Sequence, residues 1–101
     1  MDNFEREQRI LRQLSDENGI KKAIWSMKIP EDWNEVAYKG ERELFDPYNE
    51  KKIFIKVKDP TWMDLWKACD KLIKLLKAWD HVYIEGFRAK GDNFITVTFG
   101  S

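Results

Sequence analysis

The sequence predicts an α+β fold in two layers, with one long amphipathic helix packed on one face of an antiparallel or mixed β-sheet of about five strands. Three observations carry that expectation. The segment 61–79, TWMDLWKACDKLIKLLKAW, repeats its apolar residues at helical spacing. Two pairs of flanking segments alternate apolar and polar residues with the period of a strand. Each pair is interrupted by turn-forming residues, DPYNEK in the first and KGDN in the second.

Taken in order, residues 2–18 read as a first helix, because Phe4, Ile10, Leu11 and Leu14 fall within a stripe of about 120° and Glu5 stands one favourable i to i+4 step before Arg9. Asn18-Gly19 is a suitable stop, since both residues tolerate the left-handed backbone that closes helices. The stripe is narrow, so this helix is expected to dock loosely. Ala23 to Ile29 alternates, with Trp25, Met27 and Ile29 on one side, as in a strand that ends before Pro30. An irregular segment anchored by Trp33 follows, and Val36 to Tyr38 is expected to be extended. Glu43 to Phe45 and Lys52 to Lys58 form a hairpin with a long loop, in which Ile53, Ile55 and Val57 share one side and Phe54, Lys56 and Lys58 the other.

Asp59, with Pro60 at the first helical position, or Thr61, with Asp64 three residues on, caps the central helix. Stepped at about 100° per residue, Trp62, Leu65, Trp66, Cys69, Leu72, Ile73 and Leu76 fall together, and Ala68, Leu75 and Trp79 extend that face. Asp64, Lys67, Asp70, Lys71, Lys74 and Lys77 fill the opposite face. At 1.5 Å per residue such a helix is about 28 Å long, enough to cross a small sheet. A second hairpin, His81 to Arg88 and Phe94 to Phe99, turns at Lys90-Gly91-Asp92-Asn93. The element order is therefore α-β-β-β-α-β-β.

Composition sets the limits on function. A chain of 101 residues, 43% hydrophobic and 36% charged, has the size of one ordinary domain, and 1–101 is read as such, with 1–18 as its loosely docked N-terminal helix. Eighteen Lys plus Arg balance eighteen Asp plus Glu, so no electrostatic argument favours nucleic acid or a membrane surface. The lone Cys69 makes no intrachain disulfide. The charged N-terminus does not resemble a secretory leader, and no apolar run reaches the roughly 18 residues of a membrane span. A cytoplasmic protein is expected.

Strand alternation has a consequence for the side of the sheet away from the central helix. If Val82 and Ile84 face the helix with Ile95, Val97 and Phe99, then His81, Tyr83, Glu85 and Phe87 face away, with Phe94, Thr96 and Thr98 and with Phe54, Lys56 and Arg88 beside them. Tyr83, Phe87 and Phe94 are expected to form one cluster there. Either the first helix covers it or a partner does: a second copy, another protein or a stacked nucleobase.

Catalytic chemistry finds little support. His81 is the only histidine, and Asp80, Tyr83 and Glu85 are near it in sequence, but on a straight strand His81 and Glu85 stand about 13 Å apart. Cys69 lies on the core face, where a thiol is unreactive. One histidine and one cysteine make no nitrogen–sulfur metal site, and Gly86, Gly91 and Gly100 form no phosphate-cradling loop. No catalytic residue, metal or cofactor is therefore assigned. The contact residues proposed from sequence are His81, Tyr83, Glu85, Phe87, Arg88, Phe94 and Thr96. The leading expectation is a small non-enzymatic protein-interaction module of regulatory, inhibitor or immunity type. The alternatives are a binder of single-stranded nucleic acid through the same face and a small enzyme centred on His81.

Overall fold

The computed structural model describes residues 2–101 and has the expected element order: α1 (Asn3–Glu17), β1 (Ile24–Trp25), β2 (Glu41–Phe45), β3 (Ile55–Lys58), α2 (Trp62–Leu76), β4 (Tyr83–Lys90) and β5 (Phe94–Gly100). The five strands form one mixed sheet in the order β1-β4-β5-β2-β3. Both sequence-adjacent pairs, β2 with β3 and β4 with β5, are antiparallel hairpins. The hairpins join through parallel pairing of β2 with β5, and β1 adds in parallel to the outer side of β4. The β4–β5 turn uses Gly91 at φ 59°, in the left-handed region that glycine enters without steric cost.

Helix α2 begins at a complete capping box. The Thr61 hydroxyl accepts from the Asp64 N–H at 3.0 Å, and the Asp64 carboxylate accepts from the Thr61 N–H at 3.0 Å. Thr61, and not Asp59, is thus the cap. Its core face carries Leu65, Trp66, Cys69, Leu72 and Ile73, buried against Leu44, Ile84, Ile95 and Val97 of the sheet. The helix is shorter than the expected 61–79. Lys77 turns left-handed at φ 57° and closes it, so Trp79 does not extend the apolar face but is exposed, and Leu75 is exposed too.

Trp25 projects from β1 into one end of this core. Its ring centroid lies 4.8 Å from that of Trp33 and 5.6 Å from that of Trp66, and the Trp33 and Trp66 rings are 5.3 Å apart. Trp33 is thus the anchor expected of its irregular segment. The strand expected over Ala23 to Ile29 shortens to Ile24–Trp25. Just beyond it the Trp25 indole N–H donates to the Lys28 carbonyl at 3.3 Å. Met27 and Ile29 still pack against the core from irregular backbone.

Asp70 departs most from its helical-wheel position. Expected on the wet face of α2, it is buried at 4% exposure. Its Oδ1 accepts from the backbone N–H groups of Lys22 at 2.6 Å and Ala23 at 3.0 Å, and both carboxylate oxygens lie 3.2 Å from the Lys21 N–H. Lys74 adds an ion pair at 3.0 Å. Burial alone would push this carboxyl upward, but the hydrogen bonds from Ala23, Lys22, Lys74 and Lys21 together outweigh it and hold Asp70 below the usual carboxylate range. Asp70 therefore fastens the segment entering β1 onto α2.

Helix α1 starts with Asp2, whose carboxylate accepts from the Glu5 N–H at 2.8 Å. It does not lie over the far face of the sheet. Leu11 is buried in the main core and Leu14 packs at its margin, whereas Phe4 and Ile10 are exposed. Only part of the expected stripe is used, and it meets the core near Trp25 and Trp66, where Gln8, Leu11 and Arg12 share a groove with Ala23 and Tyr83.

Candidate functional site

With α2 on one side of the sheet and α1 at its β1 end, the other side carries a cluster of three phenylalanines. Phe45, Phe54 and Phe94 have ring centroids 5.0, 5.6 and 6.1 Å apart. Strand phase puts them there. Leu44 pairs with Ile95 and is buried under α2, so Phe45, one residue on, points away, as does Phe94, which pairs with Glu43. Phe45 is buried beneath the cluster and Phe54 is exposed. Lys90, paired with Phe94 across the hairpin, holds its ammonium 5.8 Å from the Phe45 ring centroid, within the range of a cation–π contact.

A groove of about 490 Å³ continues from Phe94 across β2 and β3, lined by Glu41, Glu43, Lys56, Lys58 and Asn93 among others. The register places Glu41 opposite Lys58 and Glu43 opposite Lys56. These acidic and basic side chains alternate across the strands, which stabilises the pairing, and Arg42 in the same groove adds one positive charge beyond the two Glu–Lys pairs.

The seven residues singled out from sequence do not converge. Phe94, Thr96 and Arg88 share the open face, with Thr96 paired to Arg88. Tyr83 is on that face too, but it pairs with Gly100, six residues along β5 from Phe94 and so about 20 Å away. Glu85 lies against Gly100, and a side chain at position 100 would collide with its carboxylate. Phe87 is on the opposite side. Its ring lies 5.9 Å from Trp25 and 6.3 Å from Trp62, in the core under α2. The cause is a β-bulge: Ile84 pairs with Phe99 while Gly86 pairs with Thr98, so Glu85 is an extra residue that inverts the alternation after it. The single cluster of Tyr83, Phe87 and Phe94 therefore does not exist.

Phe45 takes the central place in the observed cluster. The signal for it was available, because alternation from Leu44 assigns Phe45 to the open face once Leu44 is taken as core. Gly86 within a strand likewise marked the bulge.

His81 precedes β4 and is exposed, with its Nδ1 3.1 Å from Asp80 Oδ1. That contact holds the Asp80 carboxyl below the usual range. Neither Tyr83 nor Glu85 is hydrogen-bonded to His81 among the described residues. Cys69 is fully buried, and burial followed by the nearby Asp70 and Asp46 carboxylates pushes its thiol well above the ordinary value. Folded protein is accordingly expected to resist thiol-specific labelling, with Cys69 reacting at the rate of a free thiol only after denaturation in urea; rapid labelling without urea would contradict the buried placement.

No group of three or more His, Cys, Asp or Glu residues suited to a metal ion occurs among the described residues, and none of their helices is long and apolar enough to cross a membrane. The chain matches no protein-family model, no curated protein and no solved structure.

Proposed function

We propose that the protein is a non-enzymatic protein-interaction module whose contact surface is the open face of the sheet, centred on Phe54 and Phe94 above Phe45. The observation that carries this is the placement of three clustered phenylalanine rings on the sheet face opposite α2. Aromatic residues at the centre of a patch supply most of the energy of protein interfaces, and a rim of polar groups, here Thr96, Arg88, Glu43 and Lys56, orients the partner. Zero formal charge and the opposed Glu and Lys residues on β2 and β3 favour a partner with mixed charge over a polyanion. A cytoplasmic setting accompanies the proposal, because the sole cysteine is a buried free thiol.

A photo-reactive phenylalanine analogue at Thr96, introduced in the native host, tests the surface. The expected product is a discrete protein adduct, either a second copy or another chain, that the same analogue at Lys67 on the wet side of α2 does not give. Phe54→Ala and Phe94→Ala should each weaken the association by about 1–3 kcal/mol and reduce the adduct accordingly, while circular dichroism stays unchanged. Equal adducts from Thr96 and Lys67 would contradict the proposal. A nuclease-sensitive adduct would replace it with single-stranded nucleic-acid binding, for which Lys90, Lys56 and Arg88 beside the rings would supply phosphate contacts.

A further inference from the structure

Two aromatic rings unrelated to the phenylalanine cluster stand almost free of the protein. Trp79 is 85% exposed and Tyr48 is 83% exposed. They belong to different loops, Tyr48 to the β2–β3 connection and Trp79 to the segment after α2, yet both line one cleft of about 570 Å³, a volume within the usual range of small-molecule sites. The Trp25, Trp33, Trp62 and Trp66 rings all pack on the core, so the exposure of Trp79 is not the habit of tryptophan in this chain. Neither Trp79 nor Tyr48 is needed to fill the core.

Polar groups of both kinds accompany the rings. Asp46, Asn49, Lys77, Asp80 and His81 line the same cleft, and His81 engages Asp80 Oδ1, which leaves Asp80 Oδ2 as the open acceptor. One Asp46 oxygen accepts from the Tyr48 N–H at 2.9 Å, and the Asn49 side-chain oxygen accepts from the Lys51 N–H at 2.9 Å. The second Asp46 oxygen and the Asn49 amide N–H₂ make no hydrogen bond among the described residues. Asp80 is ionised at neutral pH, so two carboxylates stand against one lysine. That balance disfavours a phosphate-bearing ligand, and Lys77 in the same wall disfavours a compact organic cation.

From this arrangement we infer that the cleft binds a neutral oligosaccharide. The C–H faces of successive sugar rings stack on the Trp79 and Tyr48 rings. Their hydroxyls donate to the carboxylates of Asp46 and Asp80 and accept from Asn49 and Lys77. The site is separate from the phenylalanine face and does not rest on the proposed protein-interaction role.

Titration of the whole protein with cellotetraose, maltotetraose and chitotetraose, observed through the indole N–H resonance of Trp79, decides the matter. At least one of the three should shift that resonance with a dissociation constant of about 1 mM or tighter. Calorimetry should show that binding weakened about tenfold or more in both Trp79→Ala and Tyr48→Ala, and unchanged in Phe94→Ala. Thermal midpoints close to wild type would show that both cleft variants remain folded. The inference is overturned if none of the three sugars moves the Trp79 resonance at about 10 mM, or if the affinity survives in Trp79→Ala. A shift produced by tetramethylammonium and by none of the sugars would also overturn it, by assigning the rings to a cation.

Discussion

Asp70→Ala is expected to destabilise the protein by about 3 kcal/mol, because it removes charge-assisted hydrogen bonds worth roughly 1.5–3 kcal/mol each and leaves the buried Ala23 N–H without a partner. Lys21 and Lys22 are exposed, so water can reach their N–H groups and the cost stays below the sum of the bonds. Asp70→Asn keeps an acceptor but loses the charge, and it should cost less, about 1–2 kcal/mol. Urea denaturation of the three proteins provides the measurement. A loss below about 0.5 kcal/mol in Asp70→Ala would mean that the carboxylate does not hold the segment.

The pH dependence of that loss has a definite sign. The folded carboxyl titrates below its unfolded counterpart, so the folded state favours the ionised form. Its stabilisation is complete above the usual aspartate range and disappears as pH falls through the lowered, folded value. The stability gap between wild type and Asp70→Asn should therefore be full at about pH 7 and narrow progressively below about pH 4. A gap that widened in acid would reverse the assignment.

Asp70 also shows where sequence periodicity stops being informative. A helical wheel assigns a carboxylate among lysines to water, and for Lys67, Lys71 and Lys74 that assignment holds, since all three are exposed. The wheel has no term for a remote segment that arrives with its N–H groups unpaired, as residues 21–23 do. The element order and the core face of α2 were legible because they depend on local spacing. The placement of α1 was not, because a stripe of four apolar residues does not say which surface receives it, and in the fold Leu11 finds the Trp25 end of the core.

The candidate site was half legible for the same reason. Phe94 and Thr96 follow from the phase of β5, whereas Phe87 and Arg88 both lie beyond one inserted residue, Glu85, whose effect is to exchange the two sides of a strand. Phase extrapolated across Gly86 placed Phe87 with the wrong partners.

Trp66→Ala is expected to have the largest effect of any single substitution considered, a loss of about 3–5 kcal/mol from the cavity left between α2, Trp25 and Trp33. That is a large share of the roughly 5–15 kcal/mol available to a domain of this size. Trp66 is 1% exposed, and its indole N–H donates to the Ala23 carbonyl at 3.0 Å. Ala23 is thereby held on both sides, its N–H by Asp70 and its C=O by Trp66. The two residues act on one short segment, so their effects should not add. Once either is removed, residues 21–23 loosen and the other has less to hold. The Asp70→Ala, Trp66→Phe double variant is the appropriate construction, because Phe keeps most of the ring volume and deletes the indole donor. Its loss should fall short of the sum of the two single losses by about 1 kcal/mol, within the range seen for residues that share a partner. Additivity within about 0.3 kcal/mol would show that Asp70 and Trp66 stabilise separate parts of the fold, and the segment entering β1 would then not be the joint between α2 and the tryptophan cluster.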